Sequence, residues 1–374
     1  MAILVTGATG IVGCELVSAL LAEPGNQRVY TVVRGDAAAL AQKERWLREW
    51  VGNPGEERLV VEAGDCEVEG FGLSSDARAR IERDVTGVIH SAASTAFDMS
   101  ADEAFIANVL STRHALGVAK GLRNLERFGF VSSAYIAGAR SGRILEDGAQ
   151  LDGKFDNEYT RSKAFAETEV LASGLPAVAY RLGIVLGRES DGVASRTTGG
   201  PYLLMRLVHE GLIALYPAGE GQTVDLLPVD FAARAIAHLF CSPQTRPIFH
   251  VCAGDAAITT GDFFVAIVEA LRELDPQWRA QGLPMPIGAP VEALREFRKA
   301  IDLVANPRLQ KMVRRMDQCV KPVELAKRFD TTAFEAAMEG SGLCLPAFNA
   351  YFPRVVAHAA RNGFRPTRRP WDPA

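Results

Sequence analysis

The sequence predicts an α/β fold, a doubly wound parallel sheet with helices on both faces, joined to a smaller, mostly helical C-terminal part. Three observations predict it. Short β-rich runs alternate with helical stretches through the first half of the 374 residues. A glycine-rich turn stands directly between the first strand and the first helix. After about Gly187 the alternation loosens and helical spacing takes over. Alternation of strand and helix is the pattern of a parallel sheet covered on both sides.

The elements follow in order. Ala2–Val5 reads as a strand and Ile11–Ala22 has helical spacing. Arg28–Val33 is a second strand, Ala37–Val51 an amphipathic helix, Leu59–Glu62 a third strand and Val85–His90 a fourth. Ala104–Gly121 is helical, Arg127–Ser132 is a fifth strand, Tyr159–Ser173 a helix and Ala177–Leu182 a sixth strand. The run Thr198-Gly199-Gly200-Pro201 breaks the chain. Tyr202–Glu210 and Phe231–Phe240 read as helices, Ile248–Val251 as one more strand, and Thr260–Ala374 as mostly helical with prolines at its breaks. The expected division is a nucleotide-binding part, 1–187 with 227–254, and a substrate-binding part, 188–226 with 255–374.

Composition excludes several classes. With 48% apolar residues the chain can bury a substantial core, and a formal net charge of −4 makes no electrostatic case for nucleic acid or an anionic membrane. Met1–Gly7 carries no basic leader, and no segment reaches the roughly 18 unbroken apolar residues of a membrane span. A soluble cytoplasmic protein is the expectation. Cys14, Cys66, Cys241, Cys252, Cys319 and Cys344 are scattered without a C-x-x-C pair, and the six histidines do not cluster, so reduced thiols and no metal are expected.

Gly7-Ala8-Thr9-Gly10-Ile11-Val12-Gly13 is a G-x-x-G-x-x-G turn in strand–turn–helix context. Glycine serves where backbone turns tightly and approaches a pyrophosphate, and the helix start then offers free N–H groups. The expected sheet is therefore Rossmann-like. Arg34 ends the second strand, where an acidic residue would bind a ribose 2′-hydroxyl. A cation there suits a 2′-phosphate and favours NADPH, although Asp36 leaves NADH open. Asp65 follows the third strand and could accept from an adenine amino group. Ala92 and Ala93 follow the fourth and are small enough for close approach. His90 reads as a strand-end histidine without a chemical role.

Tyr159 and Lys163 are four apart on one helix, so they face the same way. A free phenol has a pKa near 10, and a nearby ammonium would lower it. Ser132 and Ser133 end the fifth strand, and a hydroxyl there could bind an oxygen that gains charge during hydride transfer.

Together these residues resemble the extended short-chain dehydrogenase/reductase superfamily over about residues 1–252. Thr6–Gly13 is similar to its T-G-x-x-G-x-x-G fingerprint, His90–Ala93 to its H-x-A-A, and Asn108–Thr112 to its N-V-x-G-T, with Ser111 in place of glycine. Ser133 stands five residues before Gly138, the spacing of the family's catalytic Ser or Thr, which selects it over Ser132. The chain looks closest to the thioester-reductase and fatty-acyl-reductase branch. The long insert Arg34–Gly52, Val131–Ile136, Phe155–Lys163 and Val224–Asp230 resemble that branch's segments. Arg181–Ile184 lacks the usual proline after the arginine, and Gln222–Asp225 lacks the diphosphate-binding arginine of nucleotide-sugar enzymes.

The resemblance implies a catalytic set of Ser133, Tyr159 and Lys163. The cofactor would be lined by Gly7, Thr9, Gly10, Ile11, Val12, Gly13, Arg34, Asp65, Cys66, Ser91, Ala92, Ala93, Asn108, Val131, Ser132, Tyr159, Lys163, Leu182, Gly183 and Ile184. The implied activity is NADPH-dependent reduction of an acyl thioester on CoA or an acyl carrier protein, to aldehyde or alcohol. A stand-alone ketone or aldehyde reductase uses the same residues. A nucleotide-sugar epimerase or dehydratase and a non-catalytic NADPH-binding protein are weaker alternatives. Residues 291–330 hold ten basic side chains (Arg295, Arg298, Lys299, Arg308, Lys311, Arg314, Arg315, Lys321, Lys327, Arg328) that could receive a CoA phosphate or an acidic carrier, a solvated face being the plainer reading. The helices Ala104–Gly121 and Tyr159–Ser173 could form a two-fold homodimer face. Replacing Arg34 with aspartate should shift preference from NADPH toward NADH in paired affinity measurements; unchanged selectivity would remove Arg34 from the argument.

Overall fold

The computed structural model describes the chain except Asn26, Gln150, Thr198, Gln244, 281–284, 304–309, 311–312, 314–319, 366–368, 370 and 372–374. Seven strands, β1 (Ala2–Thr6), β2 (Arg28–Val33), β3 (Leu59–Ala63), β4 (Gly87–His90), β5 (Arg127–Ser133), β6 (Ala177–Leu182) and β7 (Ile248–Val251), form one sheet. Their spatial order is β7-β6-β5-β4-β1-β2-β3. Every neighbouring pair is parallel. The chain steps outward from β1 to β3 and then returns to the other side of β1 as β4. That reversal opens a crevice beyond the carboxyl ends of β1 and β4, where ligands of such sheets bind.

Helices cover both faces: α1 (Ile11–Ala22), α2 (Ala37–Trp50), α3 (Ser75–Asp84), a composite α4, α5 (Glu158–Leu171) and α7 (Val229–Cys241), with α6 (Gly200–His209) between the last two. α4 runs continuously through Ala101–Ala104, a π-helical Phe105–Leu110 and Ser111–Gly121. On one face Leu16, Leu20, Ile236 and Phe240 are buried together. On the other, Val88, Phe128 and Phe130 meet Val109, Leu116, Ala166 and Val170. The Phe240 ring fits because β4 and β5 carry glycine beneath it: a Cβ on Gly87 or Gly129 would stand 2.8 or 3.1 Å from the ring.

The expected elements appear with shifted ends. The fourth strand begins at Gly87, since the Val85 N–H still bonds to Ile81 O at the end of α3. α3 itself was not anticipated. It is highly charged and buries only Ala77 and Ile81, too thin an apolar stripe to read.

The remaining helices are α8 (Thr260–Leu274), α9 (Pro276–Ala280), α10 (Val291–Asp302), α11 (Thr332–Met338) and α12 (Phe348–Arg361). Leu204 and Met205 of α6, Phe263 and Ile267 of α8, and Phe352 and Val355 of α12 form a third core. The tail is less purely helical than expected. Ile287–Ala289 pairs with Leu215–Pro217, and Lys327–Phe329 with Gly142–Ile144. Phe334 and Met338 of α11 join the core on the α1 side of the sheet. No helix among the described residues is long and apolar enough to cross a membrane. None of their His, Cys, Asp and Glu side chains gather in a group of three or more able to hold a metal.

A buried ion pair ties α5 to the sheet. Arg181, 3% exposed, donates through Nε and Nη2 to Glu167, 0% exposed, at 2.7–3.1 Å. Its remaining bonds reach His250 Nε2 on β7 at 3.1 Å and the Asp147 carbonyl at 2.6 Å. Burial, with Arg181 beside it, pulls the His250 imidazole down to about 4, so it is neutral at pH 7. Removing one partner strands a buried charge. Glu167→Ala should lower the unfolding free energy by about 3–5 kcal/mol in urea titration at pH 7; a loss below about 1 kcal/mol would mean that Arg181 is satisfied elsewhere.

Candidate active site

The glycine turn lies at the switch point of the sheet. Gly7 has φ +72°, and a Cβ on it would stand 2.7 Å from Ala92 N; a Cβ on Gly13 would stand 2.0 Å from Gly7 O. α1 begins at Gly10 with no side-chain cap and no acidic residue in its first turn. Its first N–H groups therefore suit an anion. The Thr6 hydroxyl accepts from Ser91 N and Ala92 N, both at 3.2 Å, and bonds His90 Nδ1 at 2.8 Å. His90 Nε2 is buried without a hydrogen-bond partner among the described residues. Burial and the nearby Lys163 charge pull His90 down to about 3, so the ring is neutral. This cradle fits a dinucleotide pyrophosphate, with Gly7, Thr9, Gly10, Ile11, Val12 and Gly13 around it.

At the end of β2, the largely exposed Arg34 lies 3.6 Å from Asp65 and 3.5 Å from Glu67. Asp36 is not turned to a ligand: its carboxylate accepts from Ala39 N at 2.9 Å and caps α2. Asp65 also accepts from Glu67 N at 3.0 Å, shaping its own turn. Burial pushes the Cys66 thiol up to about 12, which keeps it protonated, and its carbonyl meets His114 Nδ1 at 3.0 Å.

α5 starts where it does because the Asn157 carboxamide accepts from Thr160 N at 2.9 Å. Tyr159 thus lies in the first turn and Lys163 one turn later. Ser133 ends β5, its hydroxyl accepting from Tyr135 N at 3.2 Å. Burial raises the Tyr159 phenol above its ordinary value, and the adjacent Ser133 hydroxyl pulls it back. Ser132 faces the other way, with a buried hydroxyl that has no partner among the described residues.

The Lys163 ammonium donates to Val131 O at 2.7 Å and stands 3.8 Å over the Phe130 ring. Burial pulls Lys163 down to about 7, against the opposing charge of Glu167. A cation–π contact of roughly 2 kcal/mol and one carbonyl do not offset full desolvation of an ammonium.

Asn108, expected at the cofactor, works as a clamp. It accepts from Ser94 N at 2.8 Å and donates to Ser94 O at 3.1 Å and Ser162 Oγ at 2.9 Å. The loop after β4 is thereby tied to the catalytic helix through the π-helical turn. Leu182 ends β6, and Gly183 is fixed by crowding: a Cβ there would meet the Asp225 carboxylate at 2.1 Å. Ile184 continues as a short strand aligned with Leu226.

An open cleft of about 510 Å³ lies beside the start of α5, lined by Phe97, Met99, Phe155, Asp156, Arg161 and Lys321 among others. The Phe97 ring stands 6.1 Å from that of Tyr159. Among the basic residues of 291–330, Arg308, Lys311, Arg314 and Arg315 lie outside the described residues. Of the others, Arg298 pairs with Glu324 at 2.6 Å, Lys299 with Glu296 at 2.7 Å, Arg328 with Asp255 at 2.5 Å and Lys327 with Asp156 at 3.6 Å. Sequence reasoning did not assign roles to Thr6, Phe130, Asn157 or Ser162. Of these only Asn157 carried a local signal, an Asn directly before a helix.

Residues 5–236 match the NAD-binding family described as Male sterility protein. The chain is 26% identical over 275 residues to fatty acyl-CoA reductase wat of Drosophila melanogaster, covering 63% of this chain and 53% of that protein. It is 28% identical over 284 residues to glycine betaine reductase ATRR of Emericella nidulans, covering 70% and 22%. The chain thus spans about half the length of the fly relative and far less of the fungal one. Among solved structures, the terminal R domain from the myxalamid PKS-NRPS biosynthetic pathway superposes with a TM-score of 0.78 at 21% identity, covering 97% of this chain and 91% of that one. A thiolation-reductase di-domain from an archaeal non-ribosomal peptide synthetase gives 0.71 at 21% identity, covering 97% and 76%. These likenesses establish the fold.

Lysine-labelled NMR of the cofactor-free protein should show one ammonium titrating near pH 7, absent in Lys163→Met. The sign for stability follows. Above pH 7 the folded lysine is neutral while the unfolded one stays charged to about 10.4, so wild type should lose stability relative to Lys163→Met as pH falls through the folded midpoint and hold its full contribution only above about 10. A Lys163 midpoint near 10 would contradict the buried environment.

Proposed function

The chain belongs to the NAD-binding family described as Male sterility protein, within the extended short-chain dehydrogenase/reductase superfamily, and from that membership we propose that it is an NADPH-dependent reductase of acyl thioesters carried on CoA or a carrier protein. The observation that carries the reading is Ser133 at the carboxyl end of β5 with Tyr159 in the first turn of α5, at the same end of the sheet as a glycine turn that fits a pyrophosphate. When bound, NADPH would supply hydride to the carbonyl carbon.

The chain's own residues do the rest. Burial keeps the Tyr159 phenol protonated at neutral pH, so it can donate a proton to the carbonyl oxygen as charge develops there. The Ser133 hydroxyl donates a second hydrogen bond to the same oxygen. Lys163, one helical turn on and held by Val131 O, would hold ribose hydroxyls. Phe97 and Phe155 in the adjoining cleft offer apolar surface to an acyl chain. With a thioester, the protonated adduct loses thiol as its C–S bond breaks, leaving an aldehyde; a second hydride and proton give an alcohol. The fly relative, a fatty acyl-CoA reductase, and the similar thiolation-reductase di-domain of a peptide synthetase support the thioester as substrate class.

The test follows NADPH absorbance with acyl-CoA and acyl-pantetheine thioesters, matching aldehydes and simple ketones, with free thiol measured in parallel. Thiol release coupled to NADPH consumption is expected. Consumption with aldehydes or ketones alone would replace the thioester assignment by a carbonyl reductase. Tyr159→Phe should lower kcat by at least about 100-fold while NADPH affinity stays within about twofold; full activity in that variant would overturn the catalytic set.

A further inference from the structure

Arg369 and Trp371, from the far end of the sequence, lie against the first turn and α2. Arg369 Nη1 donates to the Thr9 carbonyl, within the glycine turn, at 2.8 Å. The Trp371 ring meets Trp46 of α2 edge-on at 5.2 Å. Lys43 Nζ lies 5.7 Å, and the Arg369 guanidinium carbon 5.0 Å, from the centre of the same Trp371 ring. Lys43 and Trp46 are three residues apart on α2 and share a face. Lys43 also donates to the Arg34 carbonyl at 2.5 Å.

Lys43 and Arg369 therefore meet on Trp371 between the turn after β1, reached at the Thr9 carbonyl, and the end of β2, reached at the Arg34 carbonyl. In a sheet of this topology that space takes the adenosine ribose of a dinucleotide. The charges there bear on which ribose is accepted. Arg34 is faced by Asp65 and Glu67, so its own charge is partly offset. Asp36, the carboxylate that would favour a free 2′-hydroxyl, is committed to the α2 cap. A guanidinium fork matches phosphate geometry, and an ammonium adds a point charge. One indole ring supports both cations.

We propose that Arg369 and Lys43, held by Trp371, complete the site for the cofactor's 2′-phosphate, so that the C-terminal strap selects NADPH over NADH. This rests on the NADPH reading above. The experiment is calorimetric titration of the full chain with 2′,5′-ADP and with 5′-AMP, ligands that differ in that one phosphate. Wild type should prefer 2′,5′-ADP. Arg369→Ala and Trp371→Ala should each weaken 2′,5′-ADP by about tenfold and leave 5′-AMP within about twofold. Melting curves without ligand check that each variant folds, and either variant alone suffices. Equal losses on both ligands would make the strap a wall rather than a phosphate site and overturn the proposal. Unchanged or tighter 2′,5′-ADP binding would also overturn it. A wild type that binds the two ligands equally would instead remove the NADPH reading, and this proposal with it.

Discussion

No side chain fits at Gly7, and the rest of the site depends on that crowding. The register that aligns Thr6 with His90 brings the turn after β1 against the loop after β4, until the Gly7 Cα faces the Ala92 backbone. The Thr6 hydroxyl holds the approach with two accepted N–H bonds and one to His90. α1 can then begin with its N–H groups directed at the crevice. The loop after β4 is held on its far side by Asn108, which in turn grips Ser162 on the catalytic helix. The glycine turn and α5 are thus linked through the loop 91–94, held by Thr6 at one end and by Asn108 at the other.

Burial governs the electrostatics there. Lys163 lies within electrostatic reach of His90, and Glu167, a buried carboxylate near Lys163, is committed to Arg181. Each group is therefore pushed toward its neutral form: the phenol up, the ammonium and the imidazole down. A protonated phenol suits the reductive direction, where a proton must be given. A lysine poised near neutrality responds readily to whatever charge or hydroxyl is placed beside it.

The outer part is fastened to the sheet by buried polar groups as well as by packing. Asp225 accepts from Ala253 N at 2.9 Å and Gly254 N at 3.0 Å, and burial raises its carboxyl to about 6. Gly183 must be glycine for that carboxylate to fit. Tyr351 of α12 donates to Leu226 O at 3.2 Å, linking the helical core to the short strand beside it. Lys327, brought back from the tail, reaches Asp156 just ahead of the catalytic helix. Side chains of the tail thus reach the start of α5 and the glycine turn alike.

Local pattern carried much of this protein. Runs of β-branched residues marked the sheet strands, the glycine spacing marked the turn, and the four-residue spacing put Tyr159 and Lys163 on one face, because these rules act within a few residues of chain. Charged α3 escaped because its apolar stripe is only two residues. The choice of Ser133 came from a family spacing; the sheet turns Ser132 and Ser133 to opposite sides, which no local pattern marked. Only packing directed Lys163 to Val131 O and Phe130, committed Asp36 to a cap and turned Asn108 into a clamp. The sequence by itself determined the sheet, the turn and the spacing of the catalytic helix. The tertiary structure decided which groups are buried, who their partners are and where the tail returns, because contacts such as Thr6 with His90 or Arg369 with Thr9 join residues 84 and 360 positions apart and leave no local trace.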